Sequence, residues 1–160
     1  MLIFIEGPDG SGKSTLVKAL SKTYSTATIC KKTDNIAFWN AIYNISDRAT
    51  LIFDRSPITE LVYRACDNGP ASYGLNEVTY WLRHSKIVFC NTPTAYDDAM
   101  SRGETNITNQ WDHISLTNAY KLFITMLKKA GYQVMDYNWQ EQTLDDVIKF
   151  IEGGNEDDVR

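Results

Sequence analysis

The sequence is poor in cysteine and histidine, has no surplus of positive charge, and contains no long apolar run. Its three cysteines, Cys30, Cys66 and Cys90, form no CxxC pair, and two histidines cannot make a His-rich tract, so neither a disulfide scaffold nor a structural zinc site is encoded. Reduced thiols of a cytoplasmic protein are expected instead. No apolar stretch approaches the ~20 residues that cross a bilayer. The first six residues, Met1 to Glu6, lack a basic leader and are followed by glycines, so they are expected to be neither a signal peptide nor a membrane span, and no membrane partner is expected. With a net charge of −4 and only two basic doublets, Lys31-Lys32 and Lys128-Lys129, the chain offers no general nucleic-acid surface, although a local one remains open.

What is present fits one globular domain. The 160 residues are 43% hydrophobic and 22% charged, enough for a single core. Short apolar runs at 2–5, 27–31, 50–53, 86–90 and 133–136 predict strands, and they alternate with segments of helical periodicity at 13–24, 36–45, 58–66, 75–84, 95–102, 111–130 and 144–151. Such alternation implies right-handed crossovers and a three-layer α/β/α fold around a five-stranded, mostly parallel sheet. The domain is read as 1–151, with 152–160 as a frayed tail. Ligands of such sheets bind beyond the carboxyl ends of the strands, where Gly7, Asp54 and Asn91 fall.

One segment carries specific chemistry. Gly7-Pro8-Asp9-Gly10-Ser11-Gly12-Lys13-Ser14 satisfies G-x-x-x-x-G-K-[ST] between a strand and a helix. The glycines let backbone N–H groups converge on a phosphate. Lys13 supplies a point charge to the β- and γ-phosphates of a nucleoside triphosphate, Ser14 offers a hydroxyl to Mg²⁺, and the helix adds its positive end. A chance match in a chain of this size has a probability of about half a per cent. Further on, Asp54 ends a strand beside this loop, where a carboxylate can hold Mg²⁺ or its waters, and Arg55 is a planar fork suited to a second phosphate. Glu6 either joins that metal shell, acts as a base, or only orders the loop.

The run Phe4 to Leu16, with Ile52-Phe53-Asp54-Arg55-Ser56, resembles the thymidylate kinases and, more loosely, the deoxynucleoside kinases. The resemblance implies a nucleoside monophosphate kinase-like fold, ATP and Mg²⁺ as cofactors, and a donor site made by Gly7, Asp9, Gly10, Ser11, Gly12, Lys13, Ser14 and Thr15. It gives Asp9 a place at the acceptor's sugar and Arg55 one at the acceptor phosphate. A lid is implied near 102–110, where Arg102 would neutralise the transferring group. Lys13, Asp54, Arg55 and Arg102 are thus the catalytic candidates, with Ser14, Asp54 and Glu6 as metal ligands. The region between the two motifs is shorter than in thymidylate kinases, which leaves Phe38, Trp39 and Tyr43 as candidates for stacking on a base, or for core packing, and Arg48 for reading it. Asp112 and Trp111 read as a helix cap and a packed ring, so His113 needs no catalytic role.

Three functions follow as expectations. The first is transfer of the ATP γ-phosphoryl group to a deoxynucleoside monophosphate. The second keeps the chemistry but directs it to a modified base such as hydroxymethyluracil within DNA, as a phage-type member of the group would. The third is a regulatory NTP-binding switch, disfavoured because Asp54 is followed by Arg55-Ser56 and no Asn-Lys-x-Asp guanine reader occurs. A homodimer is left open.

Overall fold

The computed structural model describes residues 1–25, 28–31, 35–45, 48–67, 69–103 and 110–153, with 28–31, 110 and 111 described in their backbone alone. The order of elements is β1 (Leu2–Glu6), α1 (Lys13–Thr23), β2 (Thr28–Lys31), α2 (Ile36–Ile45), β3 (Leu51–Asp54), α3 (Pro57–Asp67), α4 (Leu75–Trp81), β4 (Ser85–Cys90), α5 (Ala95–Ser101), α6 (Gln110–Lys129), β5 (Val134–Tyr137) and α7 (Leu144–Glu152). The strands lie in the order β2-β3-β1-β4-β5, and every pairing is parallel. From β1 the chain winds out to β2 and back to β3, then crosses to β4 and β5 on the other side. Winding therefore reverses at β1, the central strand that feeds the glycine loop.

Alternation along β1 builds the two halves of the core. Leu2 and Phe4 face α2, α3, α4 and α6, meeting Trp39, Phe53, Ile58, Val78, Trp81 and Tyr120. Ile3 and Ile5 face α1 and α7, meeting Leu16, Val17, Leu20, Val88, Val147 and Ile151. The first half is aromatic: the Phe4 and Phe53 rings stand 5.0 Å apart and those of Trp39 and Trp81 6.3 Å apart. Each large side chain buried here contributes on the order of 2–3 kcal/mol. Two such layers clamp β1, so the loop that follows it starts from a rigid base.

At four places the structure decides between open readings or departs from the expected bounds. Of the two readings of Trp39, core packing holds: it is 1% exposed and belongs to the aromatic core, with Trp81 Nε1 donating to Asn40 Oδ1 beside it at 2.8 Å. Tyr43 packs on Tyr80, ring centroids 4.3 Å apart, rather than facing the glycine loop. The helix expected to run to His84 stops at Trp81, because Leu82 is fully buried and Ser85 Oγ caps its carbonyl at 2.7 Å before β4 begins. Finally, α7 runs through Glu152, whose carboxylate accepts from the Tyr24 hydroxyl at 3.2 Å, one residue into the expected tail. Residues 154–160 and the core of the expected lid, 104–109, lie outside the described residues. Gly131 ends α6 as expected, with φ +83° and Tyr132 N–H returning to the Leu127 carbonyl at 3.1 Å.

Candidate active site

The glycine loop joins β1 to α1 over the end of the sheet. At Gly10 (φ +82°) a Cβ would fall 1.7 Å from the Ala95 carbonyl oxygen, so this glycine lets the loop lie directly against the start of α5. Gly12 (φ +87°) caps α1 in the left-handed conformation beneath the Trp139 indole. Lys13 is 6% exposed; its ammonium donates to the Pro8 carbonyl at 2.6 Å and stands 3.7 Å from Asp9 Oδ1. Ser11 Oγ donates to the same carbonyl at 2.7 Å. Burial depresses the Lys13 ammonium below its ordinary value, the nearby Arg55 charge adds to this, and Asp9 opposes both.

Asp9 and Arg55 form an ion pair across the mouth of the loop. Tyr63, on α3, completes it: its hydroxyl donates to Asp9 Oδ2 at 3.3 Å and accepts from Arg55 Nη1 at 3.3 Å, while its ring lies 5.5 Å from the guanidinium carbon. Burial above all pushes the Tyr63 phenol up to about 12, so it remains a neutral donor. For Asp9, burial would raise the carboxyl, but the charges of Arg55 and Lys13 outweigh it and hold the group below its usual value. Tyr63 had no motif to announce it. In sequence it is eight residues past Arg55, and only the helical rise of α3 brings it back over the pair.

Arg55 has a φ of +79°, left-handed geometry that costs a non-glycine residue about 1–2 kcal/mol. What holds it there is Glu6. This carboxylate is fully buried and accepts from Ser56 N–H at 2.6 Å, from Ser56 Oγ at 2.6 Å and from Thr59 Oγ1 at 2.9 and 3.0 Å. Of the readings left open for Glu6, the geometry favours the ordering one over the metal one: the carboxylate is fully buried and both its oxygens accept from Ser56 or Thr59 behind Arg55. Burial raises the Glu6 carboxyl, against the opposing Ser56 bonds and the Arg55 charge.

Removing Glu6 should be costly, because Ser56 N–H would be stranded in the interior. Glu6→Ala is expected to lose about 3 kcal/mol and roughly 6–12 °C in melting temperature, read by thermal denaturation. The folded-state value lies above the unfolded one, so the native chain retains this proton further up the pH scale. Wild-type stability should accordingly fall as pH rises from the unfolded carboxylate value of about 4.3, and that component should vanish in the variant.

Ser14 and Asp54 do meet, Ser14 Oγ donating to Asp54 Oδ2 at 3.0 Å at the exposed edge of the loop. Among the described residues no cluster of three or more His, Cys, Asp or Glu side chains could cage a metal. A hydroxyl and one carboxylate suit Mg²⁺, which completes its shell with water and phosphate oxygens. On the other flank a cavity of about 380 Å³ is lined by Gly12, Thr15, Leu16, Tyr137, Trp139 and Arg102, among others. Arg102 is the C-cap residue just after α5, its Nε donating to the Asp98 carbonyl at 3.1 Å, and it borders this cavity rather than the Asp9–Arg55 pair. Trp139, 47% exposed and packed on Gly12, is a second residue without a sequence signal.

The fold is that of nucleotide and deoxynucleoside kinases. The YorR protein of Bacillus subtilis, solved in complex with phosphorylated GDP, superimposes with a TM-score of 0.67 at 20% identity over 93% of this chain and 92% of its own. Deoxyadenosine kinase from M. mycoides, with the products dCMP and a flexible dCDP, gives 0.60 at 18% identity over 94% and 96%. Thymidylate kinase from Candida albicans gives 0.53 at 17% identity over 91% and 86%. No family model matches the chain, and no curated protein sequence does. No helix among the described residues is long and apolar enough to cross a membrane.

Proposed function

We propose that this chain is an ATP-dependent phosphotransferase whose acceptor is a deoxynucleoside monophosphate. The observation that carries the reading is the Asp9–Arg55–Tyr63 cluster at the mouth of the glycine loop, beside Lys13. A carboxylate held 3.7 Å from the donor-side lysine and paired with an arginine fork puts a hydroxyl-binding group and a phosphate-binding group on one side of the loop. The cavity on the other side is large enough for the base of ATP, with Trp139 as a flat wall and Arg102 at its rim.

In this reading the donor phosphates lie on the backbone N–H groups of residues 10–14, and Lys13 turns from the Pro8 carbonyl to the β- and γ-phosphates. Magnesium, when bound with ATP, would neutralise the phosphate oxygens, and Ser14 and Asp54 are the residues that would hold it. Asp9 accepts from the acceptor's sugar hydroxyl, and Arg55 grips its phosphate. An oxygen of that phosphate then bonds to the γ-phosphorus as the β–γ bridge bond breaks, releasing ADP. Lys13 and Arg55 offset the charge spread over the transferring group, and no histidine is needed.

Withdrawal of Trp39 into the core favours a second reading, in which the base recognition is supplied elsewhere and the acceptor is a modified base within DNA. The net charge of −4 weighs against it. Incubation with γ-labelled ATP and either the four deoxynucleoside monophosphates or hydroxymethyluracil-containing DNA decides the matter. Label is expected in a deoxynucleoside diphosphate. Label only in DNA would replace the first reading with the second, and ATP hydrolysis indifferent to any acceptor would replace both with an NTP-binding switch.

A further inference from the structure

We infer that His113 is a positioning residue for the glycine loop, fixing the peptide between Asp9 and Gly10. Its ring is 6% exposed, on the first turn of α6, and its Nε2 stands 3.2 Å from the Asp9 carbonyl oxygen. A carbonyl only accepts, so Nε2 carries the hydrogen and donates. Thr117 Oγ1, one turn further along α6, faces Nδ1 at 3.5 Å, while the Tyr96 ring closes the edge at 5.5 Å between centroids. Both ring nitrogens thus have a partner.

The consequence follows from peptide geometry. In a trans peptide the C=O and the next N–H point in opposite directions. Anchoring the Asp9 carbonyl to α6 therefore turns the Gly10 N–H away from α6, to where the proposed donor phosphates lie, and sets the Cα from which the Asp9 carboxylate reaches Arg55. Gly10 at φ +82° has little side-chain resistance to a flip of this peptide, so an external anchor is needed. His113 supplies it from a helix more than a hundred residues along the chain.

This inference rests on the phosphotransferase reading for its kinetic consequence but not for its structural one, and the two are tested apart. His113→Leu fills the space without a donor, whereas His113→Gln returns an N–H near the position of Nε2. We expect His113→Leu to lower kcat for acceptor phosphorylation about tenfold and to shift the Gly10 amide resonance in ¹⁵N–¹H spectra. His113→Gln should bring kcat to within about threefold of wild type and return the resonance, even if both variants melt at the same lowered temperature. A purely structural role would make the two variants alike, and that result overturns the inference. If the wild type phosphorylates no acceptor, the function reading has failed, and the Gly10 resonance alone decides for or against His113.

Discussion

Lys13→Ala is expected to reduce phosphoryl transfer about a thousandfold, close to 4 kcal/mol of transition-state stabilisation, while the fold survives. The ammonium is held at the centre of the loop by one short bond to the Pro8 carbonyl and by Asp9. Neither partner is orphaned by its removal: Ser11 Oγ still donates to Pro8, and Asp9 keeps Arg55 and Tyr63. Its stability cost should thus be small, a melting temperature within a few degrees of wild type, and the loss of rate is then assignable to charge. Lys13→Arg separates charge from shape, since the fork cannot fit a space enclosed to 6% exposure. Steady-state turnover at saturating ATP is the measurement. A Lys13→Ala chain that kept a tenth of its rate would mean the phosphates do not sit in this loop.

How much of this was legible beforehand depended on the distance over which each feature is built. The glycine loop was legible because its chemistry is local: strand, turn and helix N-terminus are contiguous, and each residue type has one purpose there. The meeting of Ser14 with Asp54 agrees with the shared magnesium role that their residue types suggested; the Asp9–Arg55 ion pair was not foreseen, because it depends on β1 and β3 being neighbours, a strand order that alternation alone leaves open. Tyr63, Trp139 and His113 were illegible, because they reach the loop from α3, from the turn before α7 and from α6 through tertiary packing alone. Glu6 was ambiguous for a different reason. A carboxylate at a strand end reads the same whether it faces a cation or a buried N–H, and only the position of Ser56 decides. Trp39 was left open for the same reason: aromatic residues at helical spacing serve a base or a core equally well, and the structure resolves it to the core, where four rings pack between β1 and α4.

The second large effect is expected at Arg55, where two substitutions divide the side chain from its backbone. Replacement by Ala or Gly should lower kcat/KM for the acceptor about a hundredfold, ~2.7 kcal/mol, and leave ATP affinity within about threefold, because in the proposed arrangement the guanidinium, paired with Asp9 and Tyr63, serves the acceptor and not the donor. The two variants differ in the turn they leave. At φ +79° alanine retains the left-handed strain and glycine relieves it, so Arg55→Gly should be the more stable by about 1 kcal/mol with the same kinetic defect. Asp9 reports the change independently. Its carboxyl is held low against burial by Arg55 and Lys13, so it contributes stability above the unfolded carboxylate value that is lost as pH falls through the lower folded value. With Arg55 gone that depression shrinks, and the acid-side loss of stability should flatten in both variants alike. Unchanged acceptor kinetics with a flattened acid limb would mean that Arg55 serves Asp9 alone, and the acceptor's phosphate would have to be sought elsewhere in the cleft.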